Sequence, residues 1–161
     1  MEFKRVMSNW SFFKNALVFN PTGYPYPYAL CPFTNGNTVH HLYSISQTFK
    51  SNKELAEIHS VIEFGGGYGN MAWCFDRIGF RGSYIIFDDL KMNALQELFL
   101  QESRVENIKE LRCIHEYSEL LGLVSAAKKG TLLVATWSLS ETPIEIRDAV
   151  MGNDNLSFLI A

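Results

Sequence analysis

Basic residues are few and scattered. Against 17 Asp and Glu the chain sets 14 Lys and Arg, a net charge of −3, and no stretch gathers them beyond pairs such as Lys128 and Lys129. Without a basic patch there is no electrostatic footprint for a polyanion, so no nucleic-acid partner is expected. Cysteine is equally sparse. Cys31, Cys74 and Cys113 are odd in number, far apart and outside any C-x-x-C or Cys/His ligand spacing. That argues against a disulfide framework or a zinc site and fits a reducing cytoplasm. Histidines and carboxylates form no H-x-x-x-H or H-E-x-x-H pattern, so no metal is expected. No apolar run approaches a membrane span, and the opening MEFKRVMSNW is polar where a signal peptide must be apolar, so no membrane partner is expected. Internal repeats and low-complexity segments are also missing.

What is present is the material of one globular domain: 161 residues, 47% of them hydrophobic and 19% charged. Proline is concentrated at the start, with Pro21, Pro25, Pro27 and Pro32 ahead of residue 37 and only Pro143 after it. Residues 1–37 therefore read as an irregular, aromatic and proline-rich arm with at most a short helix near 10–17. Residues 38–161 read as the domain proper. Val39, Leu42, Ile45 and Phe49 recur at helical spacing over 38–50. Beyond them the punctuation becomes regular. Strands are expected at 60–64, 82–87, 111–115, 131–136 and from 157. Helices are expected at 70–78, 91–102 (Leu95, Leu98 and Phe99 on one face), 118–127 and 143–150. Apolar strands alternating with amphipathic helices predict an α/β fold, a Rossmann-like doubly wound and mostly parallel sheet of about five strands. A ligand then belongs at the carboxyl ends of the central strands.

The stretch VIEFGGGYGN at 61–70 lies at that place. Gly67, Gly69 and Ala72 satisfy G-x-G-x-x-G/A, and Asp88 follows about 20 residues on, as in a dinucleotide site. A second reading uses more residues: Glu63, Gly65, Gly67 and Gly69 form E-x-G-x-G-x-G, which resembles the first motif of class I S-adenosylmethionine-dependent methyltransferases. Glu63 separates the two. A phosphate-binding loop gains nothing from a buried anion beside it, whereas a cofactor carrying an ammonium and a sulfonium is complementary to one. A purely structural turn is a third reading, disfavoured because so many glycines cost stability without a compensating gain.

Longer phrases resemble a family of sugar O-methyltransferases: NTVHHLY, VIEFGGGYGNMA, YIIFDDLKMNALQ and TLLVATWSLSETP, over roughly residues 35–161. The resemblance implies S-adenosylmethionine as cofactor and methyl transfer to a hydroxyl of a small-molecule or saccharide substrate. It implies that Glu63 holds the methionine end and that the cofactor passes over the loop of Gly65, Gly66, Gly67, Tyr68 and Gly69. Asp88 would then accept the ribose hydroxyls, His115 would lie near the adenine and Trp137 would wall the site. Relatives often read Asp-Leu-Pro after the second strand, where this chain has Asp88, Asp89 and Leu90. A complete class I fold has seven strands, so a five-stranded chain reads as C-terminally truncated. A nicotinamide-dependent oxidoreductase and a non-catalytic binding module remain the alternatives.

Methyl transfer to a hydroxyl needs an aligned acceptor and a base. Glu141, after the fourth strand, and His40 and His41, on the helix before the first, are the candidate bases. Each has an ordinary alternative: helix capping for Glu141, surface or packing roles for the histidines. Cys74 reads as packing.

Overall fold

The computed structural model of the chain describes residues 1–18, 20–136, 138, 142 and 144–160; of residues 145 and 146 it describes the backbone alone. Two short helices open the chain, α1 (Glu2–Met7) and α2 (Trp10–Phe13), followed by an antiparallel ribbon of β1 (Pro27–Tyr28) and β2 (Cys31–Asn35). Helix α3 (Gly36–Thr48) is capped by the Asn35 side chain, which accepts from Thr38 N, and a single turn α4 (Asn52–Leu55) follows. The alternating part then runs β3 (Ser60–Phe64), α5 (Asn70–Arg77), β4 (Ser83–Phe87), α6 (Leu90–Glu102), β5 (Glu110–Ile114), α7 (Tyr117–Ser125), β6 (Thr131–Ala135), α8 (Ile144–Met151) and β7 (Leu156–Ile160).

The large sheet is parallel throughout, in the order β5-β4-β3-β6-β7. The chain starts at the centre, winds out through β4 to β5, then crosses back to β6 and winds out the other way. The reversal falls between β3 and β6, where a doubly wound sheet opens a crevice at its carboxyl edge. Strand alternation divides the core. Val61, Tyr84, Ile86, Leu132 and Val134 face α3, α5 and α6, while Ile62, Phe64, Ile85, Phe87 and Leu133 face α7 and α8. The central strands β3, β4 and β6 are thus buried on both faces, which is why they read as continuous apolar runs, whereas the edge strands β5 and β7 keep exposed residues. Among the described residues, no helix is long and apolar enough to cross a membrane.

Two local expectations are corrected. The arm over 1–37 is more ordered than its prolines suggest: α1 and α2 form, and Val6, Phe12, Phe13, Ala16 and Leu17 are buried in the same apolar cluster as α3 and α5. Helices this short are not self-sustaining, so their order comes from docking, which no local signal reports. In α6 the buried face is Asn93, Gln96, Phe99 and Leu100; Leu95 and Leu98 are exposed by 44% and 57%. A polar residue displaces leucine from the interior there because the Gln96 amide nitrogen makes two hydrogen bonds, to the Gly67 carbonyl and to Asp88.

Candidate functional site

Everything at the carboxyl edge begins with Glu63. Alternation along β3 turns it to the same side as Val61, into an apolar surround, and it is only 2% exposed. Its partner among the described residues is the Tyr84 hydroxyl, which donates to Oε2 at 2.9 Å from the neighbouring strand β4. Burial pushes the Glu63 carboxyl up to about 7; the Tyr84 hydrogen bond opposes this and the Asp88 charge adds to it. The Tyr84 phenol, itself raised well above its ordinary range by burial, stays protonated and remains a donor. Cys74 is buried and its thiol is pushed upward by the same desolvation, which suits inert packing.

Past Phe64 the backbone turns through Gly65, Gly67 and Gly69, at φ of +73°, +54° and +96°. These values lie in the left-handed region, where a side chain is strained. Crowding supplies a second reason for glycine: a Cβ on Gly65 would run into the Ser138 side chain, and one on Gly66 would run into Ile86 Cγ2 and press on Glu63 Oε2 at 3.3 Å. Gly69 ends the loop as the N-cap of α5.

Asp88 stands one residue beyond β4 and is tied to this loop. Its Oδ2 accepts from Gly67 N at 3.2 Å and from Gln96 Nε2 at 3.0 Å, and its Oδ1 accepts from Asp89 N at 2.9 Å. Gln96, fully buried, also donates to the Gly67 carbonyl at 2.9 Å. One amide therefore clamps the loop, the acid and α6 together. Asp89 is engaged elsewhere: it caps α6 by accepting from Lys91 N and Met92 N.

Helix α3 forms the opposite wall. His40 Nδ1 lies 3.2 Å from Glu2 Oε1 on α1, and His41 Nδ1 lies 2.9 Å from Asn70 Nδ2 at the start of α5. Burial, with a smaller contribution from His40, lowers the His41 imidazole to about 4. Tyr68 accepts a hydrogen bond from Asn37 Nδ2 at 3.3 Å and packs edge-on against Phe99.

Two hollows flank the loop and share Gly65. One, of about 290 Å³, is lined by Asn37, His40, His41, Glu63, Gly65, Gly66, Gly67, Tyr68, Asn70 and Thr136. The other, of about 300 Å³, is lined by Phe64, Gly65, Phe87, Asp88, Asp89, His115, Tyr117, Ser138 and Thr142. A larger hollow, about 770 Å³, lies among Ile78, Arg81, Gly82, Ser83 and Lys109 at the amino ends of the strands. It contains none of the loop residues, and in a doubly wound sheet that end carries connections rather than ligands. Among the described residues no cluster of His, Cys, Asp or Glu could hold a metal ion.

The structure thus gathers His40, His41, Glu63, Gly65, Gly66, Gly67 and Tyr68 around one hollow and Asp88 and His115 around its neighbour, with Gly69 behind the loop. Trp137 and Glu141 lie outside the described residues. Sequence reasoning missed Gln96, Tyr84, Asn70 and Tyr117. A signal existed for the first two. Gln96 falls three residues before buried Phe99, and Tyr84 shares the alternation parity of Ile86, the residue paired with Glu63. Nothing local marked Asn70 or Tyr117.

No protein-family model and no curated protein sequence matches the chain. Its fold is similar to that of the SAH-bound methyltransferase PaMTH1 of Podospora anserina, with a TM-score of 0.53 at 11% identity over 95% of this chain and 58% of that one. A second solved structure, LaPhzM, aligns with 99% of this chain and 51% of its own at 13% identity and a TM-score of 0.46. The chain spans less than two thirds of either protein's length. At such identity the likeness to PaMTH1 concerns the fold alone: a Rossmann-like α/β architecture built on a parallel sheet.

Proposed function

We propose that this chain is the cofactor-binding domain of an S-adenosylmethionine-dependent methyltransferase that methylates a hydroxyl, in keeping with the sequence resemblance a sugar hydroxyl. The observation that carries this reading is Glu63, a buried carboxyl with a hydroxyl and no cation as its partner among the described residues, beside a glycine loop. A cationic ligand supplies what that group lacks. The residues fit the cofactor part by part: Glu63 for the ammonium, the backbone of Gly65, Gly66 and Gly67 beneath it, and Asp88 for the ribose hydroxyls. The surface of Phe87, His115 and Tyr117 suits an adenine ring. The nicotinamide alternative would place a pyrophosphate beside a buried carboxyl, and like charges disfavour it.

When bound, the cofactor supplies an already activated methyl group, so the protein's remaining tasks are to align the acceptor and remove its proton. His41, held near 4, is a poor proton acceptor at neutral pH. His40 is the better candidate, since the Glu2 carboxylate beside Nδ1 would orient the imidazole. Glu141 remains a second candidate base. The cysteines are free thiols, which fits a cytoplasmic setting. Calorimetric titration with S-adenosylhomocysteine and separately with NADH tests the reading. Binding of the first alone is expected; binding of NADH with none of S-adenosylhomocysteine would sink it.

A further inference from the structure

The hollow beside Glu63 carries an acid on its sheet wall and an imidazole on its helical wall. One nitrogen of that imidazole is engaged by the Asn70 amide. Asn70 is buried, and its Oδ1 accepts from Thr38 Oγ1 at 3.4 Å, which leaves Nδ2 to face His41 Nδ1 at 2.9 Å. An amide N–H only donates, so Nδ1 of the neutral ring accepts and the ring proton sits on Nε2. That Nε2–H makes no hydrogen bond to a described residue, and the hollow is the space the ring lines. Asn37 also lies in the first turn of α3, which holds no acidic residue and where the helix dipole favours an anion.

We infer that this hollow is a receptor for an α-amino acid group, in which Glu63 takes the ammonium, His41 Nε2–H takes the carboxylate, and Asn70 positions the imidazole. The inference rests on the methyl-donor reading above and deepens it by assigning His41 to binding instead of proton removal. The two ends of one zwitterion are thereby recognised from two different elements, β3 and α3. The geometry also explains why the histidine is built as a fixed neutral donor: a hydrogen bond to a carboxylate needs a held proton, and Asn70 holds it on the correct nitrogen.

The test compares S-adenosylhomocysteine with its decarboxylated analogue, S-adenosyl-3-thiopropylamine, which keeps the ammonium, thioether and nucleoside. Both are titrated into the full chain by calorimetry, as wild type, His41→Ala and His41→Gln. His41→Ala is expected to weaken S-adenosylhomocysteine roughly tenfold or more, the size of a hydrogen bond to a charged group, and to leave the analogue unchanged. His41→Gln, which retains an N–H donor, is expected to recover part of the loss. Equal weakening of both ligands, or of neither, overturns the inference while the methyl-donor reading stands. A wild-type protein that binds neither ligand overturns both. The positioning role has its own readout: Asn70→Ala should move the His41 imidazole ¹⁵N resonances away from the Nε2–H pattern, and unchanged resonances would remove Asn70 from the proposal.

Discussion

Replacing Glu63 by Gln should make the ligand-free protein more stable and the cofactor site worse. In the folded chain the Glu63 carboxyl titrates near 7, against an ordinary value of 4.5. Because the folded value is the higher one, the folded state holds the proton more tightly, and this contribution to stability is complete below about 4.5. It is lost as pH rises through 7, where a buried charge must be carried. A gap of that size corresponds to about 3 kcal/mol at pH 8, using 1.36 kcal/mol per unit. Glutamine remains neutral at every pH, and its carbonyl can still accept from the Tyr84 hydroxyl. Thermal unfolding at pH 8 should therefore rise by roughly 6–12 °C in Glu63→Gln, while at pH 4 the two proteins should unfold together. In the wild type, affinity for S-adenosylhomocysteine should fall with acidification below 7, by about tenfold per unit once the carboxyl is protonated. The variant should bind weakly and without that dependence. A melting difference that is the same at pH 4 and pH 8, or a wild-type affinity flat from pH 8 to pH 5, would refute the reasoning.

Asp88→Asn keeps an acceptor for Gly67 N and Gln96 but removes the charge and the acceptor for the exposed Asp89 N–H, so S-adenosylhomocysteine binding is expected to weaken by about 1–3 kcal/mol with a smaller loss, about 1 kcal/mol, in stability; calorimetry paired with thermal melts reads both. Asp76, completely buried on α5, accepts from the backbone N–H groups of Glu106 and Asn107 at 3.0 and 2.6 Å. Asp76→Ala leaves two donors without their acceptor and should cost roughly 2–4 kcal/mol in denaturant unfolding; an unchanged midpoint would show that the turn before β5 does not depend on it.

The regular part of the fold was legible because local and global signals agree there. The first strand is predicted and observed over the same residues, Ser60–Phe64, and the remaining alternating elements shift by a residue or two at their ends. The N-terminal arm was not legible, since Val6 and Phe13 owe their order to a surface assembled from distant residues. The α6 face was misjudged for a related reason: hydrophobicity ranks Leu95 and Leu98 above Gln96, and only the partners of the Gln96 amide reverse the ranking. At the site, Glu63 and the glycines could be read directly because their chemistry is unusual for a strand end. Asn70 could not, because its role depends on a tautomer held across two helices.

The docked arm bears on how the chain tolerates cutting. Protease cleavage between residues 18 and 38 would not release an idle leader. It would detach Phe13 and Val6, both without exposed surface, from the layer that supports α3. It would also take with them Glu2, the carboxylate beside His40. The opening segment thus acts as a buttress for the ligand-facing helix, and an intact, well-packed start to the chain is a condition for the shape of a hollow more than 30 residues further along it.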